Sequence, residues 1–375
     1  MSESDETTPG VTPDPAPRGR GRRRKPRSKR RKALLITAWT AAAVVVLGGS
    51  GLGYVYVKLN GNIKGIDINA ALGTHRPKNV NNGSMDILVL GSDSRSGANA
   101  EYGSDQGGGA RSDTAMVIHV YKGHKKASVV SIPRDTLVTR PDCTDDKGND
   151  VPGGTREMFN TAYEVGGPAC AVKTVEEMSG IRMDHYIEVD FTGFKKLIDT
   201  LGGVDITTSQ AINDPKSHLD LKPGTHTLNG EEALGLVRTR HGVGDGSDLG
   251  RIQLQQAFIK ALIKQIKDVG VFTSPKKLYD LADTATSTVT TDSDLDSVNQ
   301  LVGFAGGLSK IDSQDMTMIT MPVQYDTVDP NRVVPLEKQD AQVWDALRAD
   351  QPIPASATQG SAGDKGTAGQ VVTGA

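Results

Sequence analysis

Apolar and polar positions follow two rhythms along this chain, and the switches between them mark its elements. The run Met85-Asp86-Ile87-Leu88-Val89-Leu90-Gly91 is almost continuously apolar and stops at glycine, which predicts a buried strand. Gly97–Gly109 is polar and glycine-rich, so a flexible loop is expected there. Thr114–Tyr121 and Ala127–Ile132 are β-branched runs separated by Lys122-Gly123-His124-Lys125, the pattern of a hairpin. Asp142–Gly154 reads as a polar excursion. Helical spacing then takes over. Ala169–Ser179 places Val172, Val175 and Met178 three apart, with Gly180 as a stop. Phe191–Leu201 puts Phe191, Phe194, Leu197, Ile198 and Leu201 on one face, and Gly202-Gly203 ends it. Val204–Thr208 reads as a strand. Gly230–Val237 starts helical, but Leu234, Leu236, Arg238 and Arg240 alternate, which suits an extended segment with both arginines on one side. Asp248 is an expected N-cap for a long helix reaching about Asp268, with Ile252, Ile259, Leu262, Ile263 and Ile266 as its stripe. Helices near Lys276–Ala285 and Leu295–Leu308, a strand Met316–Met321 and a helix Gln339–Leu347 complete the reading. Interleaved strands and helices predict the α/β class, with a mixed central sheet flanked by helices.

The N-terminal pattern is different. Eleven Arg and Lys residues lie between Arg18 and Lys32, and an uncharged run follows from Ala33 to Val57. At ~1.5 Å per residue that run suffices to cross ~30 Å of hydrocarbon as one helix. Basic residues beside a first span stay on the cytoplasmic side, so the chain from Lys58 onward is expected outside the plasma membrane. The apolar core exceeds the ~7–15 residues of a cleaved signal, so a permanent single-pass anchor is expected. The expected organisation is a disordered basic cytoplasmic tail (1–32), a signal-anchor span (33–57), a linker or stalk (58–83), a catalytic domain (84–350) and a disordered Gly/Ala/Ser/Thr-rich tail (351–375).

Charge sharpens this picture. Setting aside the eleven basic and four acidic residues before Lys58 turns the net charge of −2 into −9 for the external part. A nucleic-acid partner is therefore disfavoured outside, and the basic block reads as a topology signal that touches anionic lipid. Both cysteines, Cys143 and Cys170, are external. An oxidising compartment and an even count predict a disulfide closing a loop of about 27 residues, worth roughly 3–4 kcal/mol.

Charged residues collect at the ends of apolar elements. Gly91-Ser92-Asp93-Ser94-Arg95 follows the first strand, and Arg111-Ser112-Asp113-Thr114 opens the second. Ser131-Ile132-Pro133-Arg134-Asp135 closes the third, and Arg238-Thr239-Arg240-His241 ends a later stretch. Arg251 and Gln255 are four apart and share a helix face. Ligands of α/β sheets bind at such ends. Arg111, Arg134, Arg238, Arg240 and Arg251 would repel one another if they converged on nothing, whereas an anion lets each give forked hydrogen bonds. Asp93 and Asp113 fit that pocket if Mg²⁺ or Mn²⁺ bridges them to phosphate oxygens. Taken singly, each Arg–Asp neighbour is also what a surface ion pair looks like.

These strings, in this order, resemble the LytR-CpsA-Psr family. Further matches are Asn160-Thr161-Ala162-Tyr163 with Gly166-Gly167-Pro168, Asp184-His185-Tyr186, Asp199–Val204, Val237–His241 and Gly246–Arg251. The resemblance spans about Ser84 to Lys264 and includes the anchor architecture; the basic N-terminus and Gly/Ala-rich tail look actinobacterial. It implies a phosphotransferase that moves an anionic glycopolymer from a polyprenyl-pyrophosphate carrier to peptidoglycan. It also implies Asp93 and Asp113 as ligands of Mg²⁺, and Arg111, Arg134, Lys173, Arg238, Arg240, Arg251 and Gln255 as the pyrophosphate-binding set. The long insertion between Asp93 and Asp113 departs from shorter versions of the motif. The same pocket could serve a pyrophosphate hydrolase, and some members have been read as non-enzymatic wall-binding or regulatory proteins. For the carrier tail, the helices bearing Phe194, Leu197, Ile198 and Leu201 and bearing Ile259, Leu262 and Ile266 are candidate walls, although for any one of these residues an ordinary core face is the favoured reading.

Overall fold

The structure is a computed structural model that describes residues 50–92, 112–145, 147–241, 243, 246–365 and 368–374. Its labelled strands and helices are, in chain order, β1 (Lys64–Ile66), β2 (Met85–Ser92), β3 (Ser112–Val120), β4 (Ala127–Ile132), α1 (Phe159–Ser179), β5 (His185–Asp190), α2 (Phe191–Leu201), β6 (Val204–Thr208), β7 (Gly224–Leu228), α3 (Gly230–Arg238), α4 (Asp248–Asp268), α5 (Pro275–Thr288), β8 (Val289–Asp292), α6 (Val298–Leu308), β9 (Met316–Thr320), α7 (Glu337–Arg348) and β10 (Val372–Gly374).

Seven strands form one mixed sheet in the order β1-β8-β5-β2-β3-β4-β9. β2, β3 and β4 are antiparallel neighbours, as the predicted hairpin requires, with Val120 opposite Ala127. β5 joins β2, and β9 joins β4, in parallel. The period of two along β2 assigns its faces. Leu88 and Leu90 enter the main core with Phe159, Val172, Val175, Tyr186 and Trp344. Ile87, Met85 and Val89 point to the other face, with Ile118, Ile187, Phe304 and Leu308. That second face is loosely covered. No residue of α6 is fully buried, although its sequence is largely apolar, and Val302 is 65% exposed.

A smaller antiparallel sheet, β7-β6-β10, closes a second core with α2, α3 and α4. Ile198, Val204, Ile206, Leu236, Leu254, Phe258, Val371 and Val372 are buried in it. Phe194 packs on this core as well, so the α2 face is a core face rather than a lipid wall.

The glycines act at two places. Gly167 has φ +60°, a left-handed conformation that breaks α1 just before Pro168. At Gly166 a Cβ would sit 2.6 Å from that of Cys170. The bare backbone is what lets Cys143 and Cys170 meet, with Cα atoms 5.4 Å apart and a disulfide between them.

Four expectations need correction. Residues 58–83 are not a free stalk: β1 pairs with β8, and Ile68 and Leu72 are buried in the main core. The tail is not disordered throughout, because Val372 aligns with Thr208 and Ala357, Ala368 and Val372 are buried. The segment from Leu234 is helical through Arg238, since Asn229 and Glu232 form a capping box and Leu234 and Leu236 are both buried. The N-cap of α4 is Ser247, whose side chain accepts from Gly250 N–H, so Asp248 is free for another role. The expected loop at 97–109 and most of the expected span at 33–57 lie outside the described residues. Residues 50–62 are helical, and no helix among the described residues is long and apolar enough to cross a membrane.

Candidate anion-binding site

The sheet brings three strand ends together. Ser92 closes β2 opposite Ser112 at the start of β3, and β4 ends at Ile132 before Pro133-Arg134-Asp135. The first turns of α4 lie against this edge. Arg251 Nη2 donates to the carbonyl of Asp113 at 3.0 Å. One turn on, Gln255 Nε2 donates to Thr114 Oγ1 at 3.1 Å and to the Val237 carbonyl at 3.0 Å, fastening β3, α3 and α4 together.

Three of the predicted arginines do converge, and they converge on a residue that the sequence reading placed elsewhere. Asp248 Oδ1 lies 2.5 Å from Arg251 Nη2, 3.3 Å from Arg240 Nη2 and 3.6 Å from Arg134 Nε. Burial raises the Asp248 carboxyl above the usual carboxylate range, against the pull of Arg251, Arg134 and Arg240. Arg134 also donates to the Asp113 carboxylate and lies 3.5 Å from Asp135. Its carbonyl accepts from Asn160 N–H, which ties the loop to the start of α1. Arg251 is 5% exposed, and both it and Arg134 keep a buried Nε–H without a hydrogen-bond partner. A spacing signal for Asp248 exists in the chain: it stands three residues before Arg251 on one helix, the separation at which opposite charges meet.

The remaining predicted residues divide. Arg238 ends α3 with its guanidinium over the Phe191 ring, 4.9 Å from the centroid. Lys173 instead donates to the Asp142 carbonyl at 2.6 Å, beside the disulfide. Asp93 and Arg111 lie outside the described residues.

Asp214 positions Arg240 from behind. This buried carboxylate accepts the N–H groups of Arg240 and His241, each at 2.9 Å, and of Lys216 at 3.0 Å. Burial alone would raise its pKa, but these bonds hold it below the usual carboxylate range. A depressed carboxyl stabilises the fold above its unfolded pKa, and that contribution disappears as pH falls through the folded value. Asp214→Asn is therefore expected to lower the denaturant midpoint at pH 7 and to converge with wild type at a pH well below the ordinary carboxylate range. An equal gap at both pH values would show that the carboxylate charge is not what matters.

The metal question turns on Asp113. Its side chain is partly exposed at the start of β3 and offers the hard oxygen that Mg²⁺ takes alongside water and phosphate. Arg134 already donates to Oδ1 of this carboxylate, so a cation there would share the carboxylate with a guanidinium. Among the described residues no group of three or more His, Cys, Asp or Glu is arranged as a complete metal site.

A mixed sheet whose strand ends and one helix start gather three guanidiniums around a carboxylate defines an α/β protein with a charged cluster at one sheet edge. The model of the LytR_cpsA_psr family matches residues 55–349. The chain belongs to the LytR-CpsA-Psr family. It is 34% identical to the cell wall biosynthesis protein LcpA of Corynebacterium glutamicum over 75% of this chain and 58% of that relative. It is 32% identical to the polyisoprenyl-teichoic acid–peptidoglycan teichoic acid transferase TagT of Bacillus subtilis, over 75% of this chain and 84% of that one. It spans about half of LcpB from C. glutamicum, at 34% identity. The structure of TagT bound to LIIa-WTA superposes with a TM-score of 0.54 at 25% identity, covering 74% of this chain and 96% of TagT. The LytR-Csp2A-Psr enzyme from Actinomyces oris shares the fold, with a TM-score of 0.55 at 21% identity over 84% of this chain and 99% of that one.

Proposed function

We propose that this protein is a phosphotransferase that moves an anionic glycopolymer from a polyprenyl-pyrophosphate carrier to a peptidoglycan hydroxyl at the outer face of the plasma membrane. The observation that carries this reading is the convergence of Arg134, Arg240 and Arg251 beside Asp113 at one sheet edge. Forked guanidinium donors suit the pyrophosphate linkage, and the likeness to TagT supports both the donor class and the acceptor. The energy of transfer resides in the pyrophosphate, so the site works without ATP. Its tasks are positioning and charge neutralisation.

Arg251 and Arg240 hold the phosphate oxygens, and Gln255 fixes the helix that carries Arg251. Arg134 is shared between phosphate and the Asp113 carboxylate. Asp113, with Asp93, would hold Mg²⁺ or Mn²⁺, and the cation would neutralise charge growing on the departing carrier phosphate. The loosely covered sheet face under α6, with Val89, Ile118, Ile187, Phe304 and Leu308, offers apolar surface for the carrier chain. The uncharged run from Ala33 to Val57 anchors the chain, with the basic block inside.

The test is transfer of a synthetic polyprenyl-pyrophosphate glycan to peptidoglycan oligomers by the full chain with Mg²⁺. A covalent adduct that requires the cation supports transfer. Phosphate release without adduct would replace transfer with hydrolysis. Neither product, despite donor binding, would point to a binding protein.

A further inference from the structure

Five guanidiniums were expected to need an external anion, yet the described site already contains one. Asp248 offers a single oxygen, Oδ1, to Arg134, Arg240 and Arg251, which come from a strand-end loop, the segment after α3 and the second turn of α4. Its other oxygen is buried without a hydrogen-bond partner, as are Arg134 Nε and Arg251 Nε. Ser247 caps the helix, so Asp248 is not needed as a cap, and its place in the first turn suits the positive end of the helix dipole. In the free site the carboxylate charge offsets the mutual repulsion of these three guanidiniums, a task that a bound pyrophosphate would take over. A phosphate entering the cluster would satisfy the orphan N–H groups but would meet the carboxylate as a like charge.

We propose that Asp248 is the resident counter-anion of the donor site. It is a positioning residue that holds Arg134, Arg240 and Arg251 converged before the pyrophosphate arrives and limits how tightly the pyrophosphate binds. This rests on the donor-site reading above. The role is distinct from that of a phosphate ligand or a cation ligand. Removing the charge while keeping the shape should strengthen ground-state binding of the anion and slow departure of the phosphate product. KM and kcat should then fall together, the signature of lost ground-state destabilisation.

The experiment is calorimetric titration of inorganic pyrophosphate into the full chain in detergent with EDTA present, which isolates the arginines from any cation. Asp248→Asn is expected to bind pyrophosphate about tenfold tighter than wild type, because one opposing charge is gone. In the transfer assay its KM for donor and its kcat should both drop severalfold. Asp248→Glu keeps the charge and should stay within about threefold of wild type in both constants. Weaker or unchanged pyrophosphate binding by a folded Asp248→Asn protein overturns the proposal. If Asp248→Asn fails to fold, Asp248→Glu decides: near-wild-type constants support a charge role, and loss of activity in a folded protein makes Asp248 a packing residue. Absence of pyrophosphate binding by wild type would remove the donor-site reading, and this proposal with it.

Discussion

Arg251→Ala is expected to lower glycan transfer by about 10²–10³-fold, the loss typical of removing one preorganised donor to a developing phosphate charge. The residue is 5% exposed, and its side chain holds Asp248 at 2.5 Å and the Asp113 carbonyl at 3.0 Å. Alanine removes the guanidinium proposed to hold phosphate, leaves Gln255 to hold α4 to β3, and leaves Asp248 with two more distant partners. Arg251→Lys keeps the charge but not the planar fork, so it should recover only a small part of the rate. Initial transfer rates measured beside a thermal melt separate these effects. A folded Arg251→Ala protein within threefold of wild type would exclude Arg251 from the donor site.

The largest stability effect is expected away from that site, at Glu176. Arg76 Nε lies 3.1 and 3.0 Å from the two Glu176 oxygens, and Arg76 Nη2 lies 2.5 Å from Oε1 and 3.0 Å from the Met183 carbonyl. Glu176 also accepts from Met183 N–H at 2.9 Å. Both side chains are almost fully buried, at 7% and 3% exposure. Removing one partner of such a pair strands the other charge and costs about 3–5 kcal/mol. Urea unfolding of Glu176→Ala should show a loss of that size. A loss below about 1 kcal/mol would mean that Arg76 finds water or another acceptor. The pair fastens the chain just after Leu72 to α1, which is why the region from Lys58 belongs to the domain.

The elements built on one strong rhythm were legible in the sequence. β2 is an almost bare apolar run that continues through Gly91 to Ser92, and α2 carries its stripe between the Asp190 cap and the left-handed Gly202. Arg251 and Gln255 were legible as one helix face. Asp248 was not, because an acidic residue at a helix start satisfies the capping rule and the ion-pair rule alike, and only the position of Ser247 decides between them. The alternation from Leu234 to Arg240 misled for a related reason. Leu234 and Leu236 are both buried in a helix packed on two sides, and the capping box upstream outweighs a local period of two. Composition misjudged the tail, where Val371 and Val372 suffice to fill a core among glycines and threonines. The polar character of residues 58–83 similarly concealed Ile68 and Leu72.

The pairing of β10 with β6 has a consequence for how the protein is made. Ile206 and its partner Gly374 are roughly 170 residues apart. At ~5–20 residues per second, on the order of ten to thirty seconds separate their appearance from the ribosome. During that interval Ile206 and Phe258 have been synthesised, but Val371 and Val372, which cover part of the same apolar surface, have not. The second core therefore closes late in synthesis, and the nascent chain presents an unfinished apolar edge until translation passes Val372.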